Sequence, residues 1–147
     1  MDKKQVKIRV CTEGVRLPEK AHSADAGYDV FLLDDVTLEP GERKRIRSGF
    51  RLIIQEGCRA EVKIRSSSWL RGLQTEGTID AKFRGELYYM LENKNNHEVE
   101  LLKNSRPVQL VFSIVPNIEM TLEENVIDDP IDDRSLRGEG GFGSTGK

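Results

Sequence analysis

Asp80 stands in Gly77-Thr-Ile-Asp-Ala-Lys-Phe-Arg-Gly-Glu86, between the apolar Ile79 and the aromatic Phe83, with a glycine at each edge. A carboxylate among strand-forming residues is costly to bury unless a partner or a task holds it there, which makes Asp80 the best candidate for a general base. A turn aspartate would have similar neighbours, so the assignment needs support from elsewhere in the chain. Lys63-Ile-Arg-Ser-Ser-Ser68 ends a strand in Arg65 and follows it with three hydroxyls beside a short helical start, a combination suited to capturing an anion. In Ala24-Asp-Ala-Gly-Tyr-Asp29 two carboxylates flank a small-residue turn, which suits a hard cation held through oxygen or water, or simply a solvated turn. The amide of Gln109 interrupts the apolar strand Arg106-Pro-Val-Gln-Leu-Val-Phe112, where it serves either a ligand or a neighbouring backbone group. Trp69 and the pair Tyr88 and Tyr89 read as core or interface.

The last eleven residues, Arg137-Gly-Glu-Gly-Gly-Phe-Gly-Ser-Thr-Gly-Lys147, contain five glycines. Such a segment cannot pack a core, and it is expected to be mobile until something holds it. A polyanion is the natural occupant: closely spaced glycines let backbone N–H groups approach phosphate oxygens, Ser144 and Thr145 add hydroxyls, and Arg137 and Lys147 add charge. Phe142 offers a face on which a base can stack. Two phosphate-loop patterns match here, G-x-G-x-x-G at Gly138 to Gly143 and G-x-x-x-x-G-K at Gly141 to Lys147. Both work through a following helix, for which no residues remain, so both are set aside.

A chain of 147 residues with 37% hydrophobic content reads as one domain able to bury roughly 70% of its unfolded surface. A net charge of −2 gives no field that would draw nucleic acid, so local clusters must handle any phosphate. Cys11, Cys58, His22 and His97 have no zinc-type spacing, and neither a disulfide framework nor a structural metal is expected. No apolar run spans a membrane and no leader-like segment precedes the first alternating stretch, so the expectation is a cytoplasmic protein, or a nuclear one in a eukaryotic host.

Short β-branched runs separated by turns recur from end to end, which predicts a nearly all-β barrel or sandwich to position these groups. The expected strands are Val6–Val10, Tyr28–Leu33, Val36–Leu38, Arg45–Ile54, Ala60–Ile64, Glu86–Leu91, Val99–Leu102 and Gln109–Val115. Glu39-Pro-Gly-Glu42 and Asn93-Lys-Asn-Asn96 read as turns, and Ser68–Leu73 as one or two helical turns. The acidic stretch Asn125–Ser135 leads the tail away from the body, which divides the chain into a domain at 1–136 and an arm at 137–147.

These segments, taken in this order with the tail, resemble the five motifs of the trimeric dUTP diphosphatase (dUTPase) family over Ala24 to Gly146. RGEGGFGSTG and GTIDAKFRGEL are the most specific parts. The resemblance implies a homotrimer of distorted β-barrel or jelly-roll subunits, with each active site assembled from three chains. It implies that Asp80 orients a water to attack the α-phosphorus of dUTP, releasing dUMP and pyrophosphate. Arg65, Ser66 and Gln109 match phosphate-contacting positions, with Ser67 beside them as a further substrate-binding candidate, and Asp29 matches an acid that holds Mg2+ through water. Gln74, Thr75, Gly77 and Ile79 fall in the hairpin that reads uracil through its backbone, and Phe83 falls under the deoxyribose. Phe142 would stack on the base, while Arg137, Gly143, Ser144 and Thr145 close over the distal phosphates.

The chain departs from the family pattern in places. Ser67 stands where glycine is usual, Asn104-Ser-Arg-Pro replaces Gly-Asp/Glu-Arg-Ile, and only fifteen positions separate Arg65 from Asp80, a short base-reading hairpin. Two rivals share the fold. A dCTP deaminase would carry a glutamate where Met90 stands, and a nucleotide-gated binding protein would use the same site to control a protein partner.

Overall fold

The computed structural model describes residues 3–123 of the chain. The tail residues Arg137, Phe142, Gly143, Ser144 and Thr145, and the expected boundary at 136/137, lie outside them. One compact unit spans Met1–Asn117. Its elements are β1 (Val6–Val10), β2 (Gly27–Val30), β3 (Val36–Leu38), β4 (Arg43–Ile54), β5 (Cys58–Ile64), α1 (Ser66–Leu70), β6 (Leu73–Gln74), β7 (Gly77–Asp80), β8 (Glu86–Asn93), β9 (Val99–Leu101) and β10 (Val108–Ile114). The all-β jelly roll is as expected, and its strands form two four-stranded sheets, β1-β4-β8-β6 and β2-β10-β5-β7, with β3-β9 as a separate ribbon. Every strand pairing among the described residues is antiparallel.

Period-two alternation explains how the sheets close on one another. Along β4, Ile46, Phe50, Leu52 and Ile54 are buried while Arg43, Arg45, Arg47 and Arg51 face out. Leu87, Tyr89 and Leu91 of β8 join them, and Cys58, Ala60, Val62, Val108 and Leu110 come from the opposite sheet, in one continuous core. Each large aliphatic or aromatic side chain so buried contributes about 1.5–3 kcal/mol. Mid-way, the register slips: Arg47 pairs with Tyr88 but Arg51 pairs with Glu86, so four steps on β4 oppose two on β8. Gly49 absorbs the bulge with φ 84°. A side chain there would also sit 2.6 Å from Val15. Because of the bulge, Arg47 reaches Glu86 with two hydrogen bonds, 2.6 and 3.1 Å.

The Glu39–Glu42 turn forms as expected, closed by Glu42 N–H to the Glu39 carbonyl at 3.0 Å, with Gly41 at φ 75°. Asn93, expected in a turn, is instead the buried last residue of β8. Its amide donates to the carbonyls of Leu38, Glu39 and His97 (2.8–3.1 Å), and its Oδ1 accepts from the Asn95 backbone and side chain, both at 2.9 Å. That single side chain ties the β3–β4 turn to the β8–β9 connection. Two strands were not expected, β6 and β7. They are short and rich in Gly, Thr and Gln, so neither has the β-branched alternation that marks a strand by itself; pairing makes them strands.

Candidate active site

The Gln74–Gly77 segment, expected to be a hairpin, is a crossing between sheets. β6 pairs with β8 through Leu73↔Asn93 and Gln74↔Glu92, whereas β7 pairs with β5 from Gly77↔Val62 to Asp80↔Arg59. Only Thr75 and Glu76 span the gap. Among the described residues, β8 has no strand partner on the side away from β4 beyond Glu92 toward its start, and β7 has none on the side away from β5. The two unpaired edges flank a cavity of about 410 Å³ bordered by Gly77, Ile79, Asp80, Phe83, Tyr88 and Met90, among others. The crossing closes this slot at one end, and the β7–β8 loop carrying Phe83 closes the other.

Asp80 is the last residue of β7 and is exposed; its carbonyl accepts the Phe83 N–H at 3.1 Å, which turns the chain at the slot's mouth. Among the described residues no side chain occupies the Asp80 carboxylate, so its oxygens are open to a water. Phe83 is 47% exposed, and a side chain on Gly85 would lie 2.9 Å from its ring, so the glycine is what lets the ring lie back over the loop. Glu86, where β8 begins, is anchored by Arg47, which holds its carboxyl below the usual carboxylate range chiefly through their hydrogen bond. Tyr89 also borders the slot from the core side; burial drives its phenol pKa up, so it stays neutral.

A second cluster forms at the far end of β5. Asp29 on β2, only 6% exposed, lies between two guanidinium groups: Arg65 Nε at 3.0 Å from Oδ1 and Arg106 Nη1 at 3.4 Å from Oδ2. Arg65 also donates through Nη1 to the Arg106 carbonyl at 2.9 Å, so the two arginines brace each other. Gln109 is the register partner of Asp29, and its amide donates to the Ile64 carbonyl at 3.4 Å. Gly27 makes room for it, since a Cβ there would fall 2.0 Å from the Gln109 Oε1. Ser66 and Ser67 follow on the exposed first turn of α1, with Arg65 as its cap residue. Arg106 belongs to this cluster as fully as Arg65, yet sequence reasoning passed over it. The signals were its place beside Pro107 at the start of an apolar strand and its match to the arginine of the Gly-Asp/Glu-Arg-Ile pattern. Asn104 adopts φ 69°, a left-handed conformation that asparagine tolerates better than most residues, so it can stand where the family pattern has glycine.

The structure therefore brings Asp29, Arg65 and Gln109 together, and separately gathers Gly77, Ile79, Asp80 and Phe83, but it does not join the two sets. Asp80 pairs with Arg59 while Arg65 follows Ile64, so these two residues lie six positions apart along β5, roughly 20 Å at strand spacing, although Gly77 and Gln109 face the adjacent Val62 and Lys63. Among the described residues no group of three or more His, Cys, Asp or Glu is placed to hold a metal. A larger cavity of about 610 Å³ lies between β1 and β10, but it is lined mainly by lysines and apolar side chains and has no carboxylate to activate water. Cys11 and Cys58 are free thiols, and no helix among the described residues is long and apolar enough to cross a membrane.

The chain is similar to known proteins along nearly its whole length. The profile of one family, dUTPase, matches residues 13–146. A deoxyuridine 5'-triphosphate nucleotidohydrolase of Clostridium tetani is 35% identical over 147 residues, covering 97% of each chain. One of the same name from Fusobacterium nucleatum is 35% identical, covering 100% of both. Among solved structures, the Staphylococcus bacteriophage 80alpha dUTPase with dUPNHPP superposes with a TM-score of 0.84 at 26% identity, covering 97% of this chain and 99% of that one. That phage protein is described as controlling transfer of virulence genes by a G protein-like mechanism.

Proposed function

The chain belongs to the dUTPase family and cleaves dUTP to dUMP and pyrophosphate; on that premise we propose that Asp80 is the general base and that each site is shared between copies of the chain. The observation that carries the reading is the slot between the free edges of β7 and β8, with Asp80 and Phe83 at its mouth. Unpaired backbone N–H and C=O groups on facing edges suit a uracil, whose carbonyls and N3–H alternate in the same way. Phe83 lies where a deoxyribose would rest, and the Asp80 carboxylate takes a proton from the water that attacks the α-phosphorus. The bond to the α,β-bridging oxygen breaks, and pyrophosphate leaves. Such chemistry asks the protein for positioning and charge stabilisation rather than covalent participation.

Arg65, Arg106, Gln109, Ser66 and Ser67 are the donors suited to the phosphates. Arg65, which leads into the two serines, lies roughly 20 Å from Asp80 along β5, further than a triphosphate reaches when its α-phosphorus is beside that carboxylate. The base and nucleoside slot of one copy must then meet the arginine cluster of another, which supports a homotrimer with C3 symmetry. The tail residues Arg137, Phe142, Gly143, Ser144 and Thr145 are proposed to close the site as a lid. Mg2+ fits as a companion of the triphosphate, with Asp29 acting on it through water, because the carboxylate is already engaged by two arginines. When bound, the ion neutralises charge on the leaving pyrophosphate. A soluble, cytoplasmic protein and a protein regulator complete the proposal, the latter by likeness to the phage protein alone. Deamination of dCTP is not favoured, because Met90 borders the slot where that chemistry needs a carboxylate.

The test is pyrophosphate release from dUTP with Mg2+. Asp80→Asn should lower kcat by about 10²–10⁴-fold while nucleotide binding persists. Turnover near that of the wild type would remove Asp80 as the base.

A further inference from the structure

The crossing between β6 and β7 is held in an unusual way. The backbone ladder of β6 on β8 ends at Gln74↔Glu92, and the next residue continues it with a side chain: the Thr75 hydroxyl donates to the Met90 carbonyl at 2.5 Å. Behind the crossing lies a second cavity of about 510 Å³, bordered by Arg43, Gln74, Thr75, Glu92 and Lys94. Glu76 and Met90 border both this cavity and the slot, so the Thr75–Met90 bond lies in the wall that separates them. With only two residues between the sheets, this hydroxyl is the tie between the middle of the crossing and β8.

We propose that Thr75 is a positioning residue for base selectivity, acting through the Met90 carbonyl to fix the closed end of the slot. The inference rests on the slot being the uracil site. A wall pinned at this point leaves room for the smallest pyrimidine base. Without the bond the crossing has free volume behind it to retreat into, and a 5-methyl group is accommodated. Rejection of cytosine works differently: its amino group meets the wrong backbone partner, and widening the end wall leaves that mismatch in place. Thr75 therefore governs the discrimination against thymine, not against cytosine.

The experiment measures kcat/KM for dUTP, dTTP and dCTP with wild type, Thr75→Val and Thr75→Ser. Valine keeps the shape and deletes the hydroxyl; serine keeps the hydroxyl. The preference for dUTP over dTTP is expected to fall about tenfold in Thr75→Val, equivalent to about 1.4 kcal/mol, and to stay within twofold of wild type in Thr75→Ser. The preference over dCTP should stay within threefold in both. Wild-type selectivity in Thr75→Val overturns the proposal, as does an equal gain of dTTP and dCTP, which would mean general loosening. If the wild type itself does not prefer dUTP over dTTP, the reading of the slot as the uracil site fails instead.

Discussion

Replacing Asp29 by Asn separates two roles for one carboxylate. Two guanidinium groups converge on it, and the carboxylate itself is buried. Removing one partner from a buried ionic cluster costs about 3–5 kcal/mol when the rest stays buried. Here the side chains of Arg65 and Arg106 are 27% and 41% exposed, so each can recover part of its hydration. Discounting for that exposure leaves about 2–3 kcal/mol. In a chain of 147 residues this lowers Tm by roughly 5–10 °C. The loss arises from orphaned arginines, so it should be the same in EDTA as in Mg2+, and it should accompany a rise in KM for dUTP as the phosphate donors lose their alignment. Thermal melts of Asp29→Asn and wild type, each with EDTA and with Mg2+, decide the matter. A mutant as stable as wild type in EDTA, with a defect confined to Mg2+-dependent turnover, would refute the arginine-bracing argument.

Three further outcomes are expected. Co-refolding equal amounts of Asp80→Asn and Arg65→Gln chains should restore dUTP hydrolysis toward about one quarter of wild type, the share of sites in randomly mixed trimers that draw an intact base and an intact cluster from neighbouring copies; mixed trimers without activity would place base and clamp in one chain. Arg47→Met should lower Tm at pH 7. Because Arg47 depresses the Glu86 pKa, the pair stabilises fully above about pH 4.3 and stops doing so as pH falls through the lower folded value, so the gap to wild type should close in acid; a gap constant from pH 3 to 8 contradicts the assignment. Asn93→Leu, which strips three carbonyls of a buried donor, should cost about 3 kcal/mol in chemical denaturation, and a loss below 0.5 kcal/mol, roughly the scale of a surface change, would show the hub to be dispensable.

Strands whose side chains alternate declare themselves in the sequence. β1 and β3 coincide with the expected runs, and β4, β5, β8 and β10 differ by a residue or two at their ends. What stayed hidden depends on partners far away in the chain. Nothing local in Gly77-Thr-Ile-Asp80 distinguishes a turn from a strand; its pairing with β5 does. Asn93 looks like any turn asparagine until the Glu39 turn folds over it. Arg106 gains meaning only when β10 lies beside β2 and sets it against Asp29, 77 positions earlier. Types and spacing singled out Asp29, Arg65 and Gln109 one by one, and the sheet register is what makes neighbours of them.

An unpaired strand edge is ordinarily a hazard, a template on which another chain can add itself and start a fibre. Among the described residues, two such edges, β7 and the first half of β8, are turned toward each other instead of outward. The chain itself bridges them at both ends, through Thr75–Glu76 and through the Phe83 loop, so no passing polypeptide can thread between them. A flat heterocycle of the right donor and acceptor order can. On the proposed reading the nucleobase takes the place of a missing rung in the ladder, and the same closure that would admit it keeps a further strand from adding at these edges.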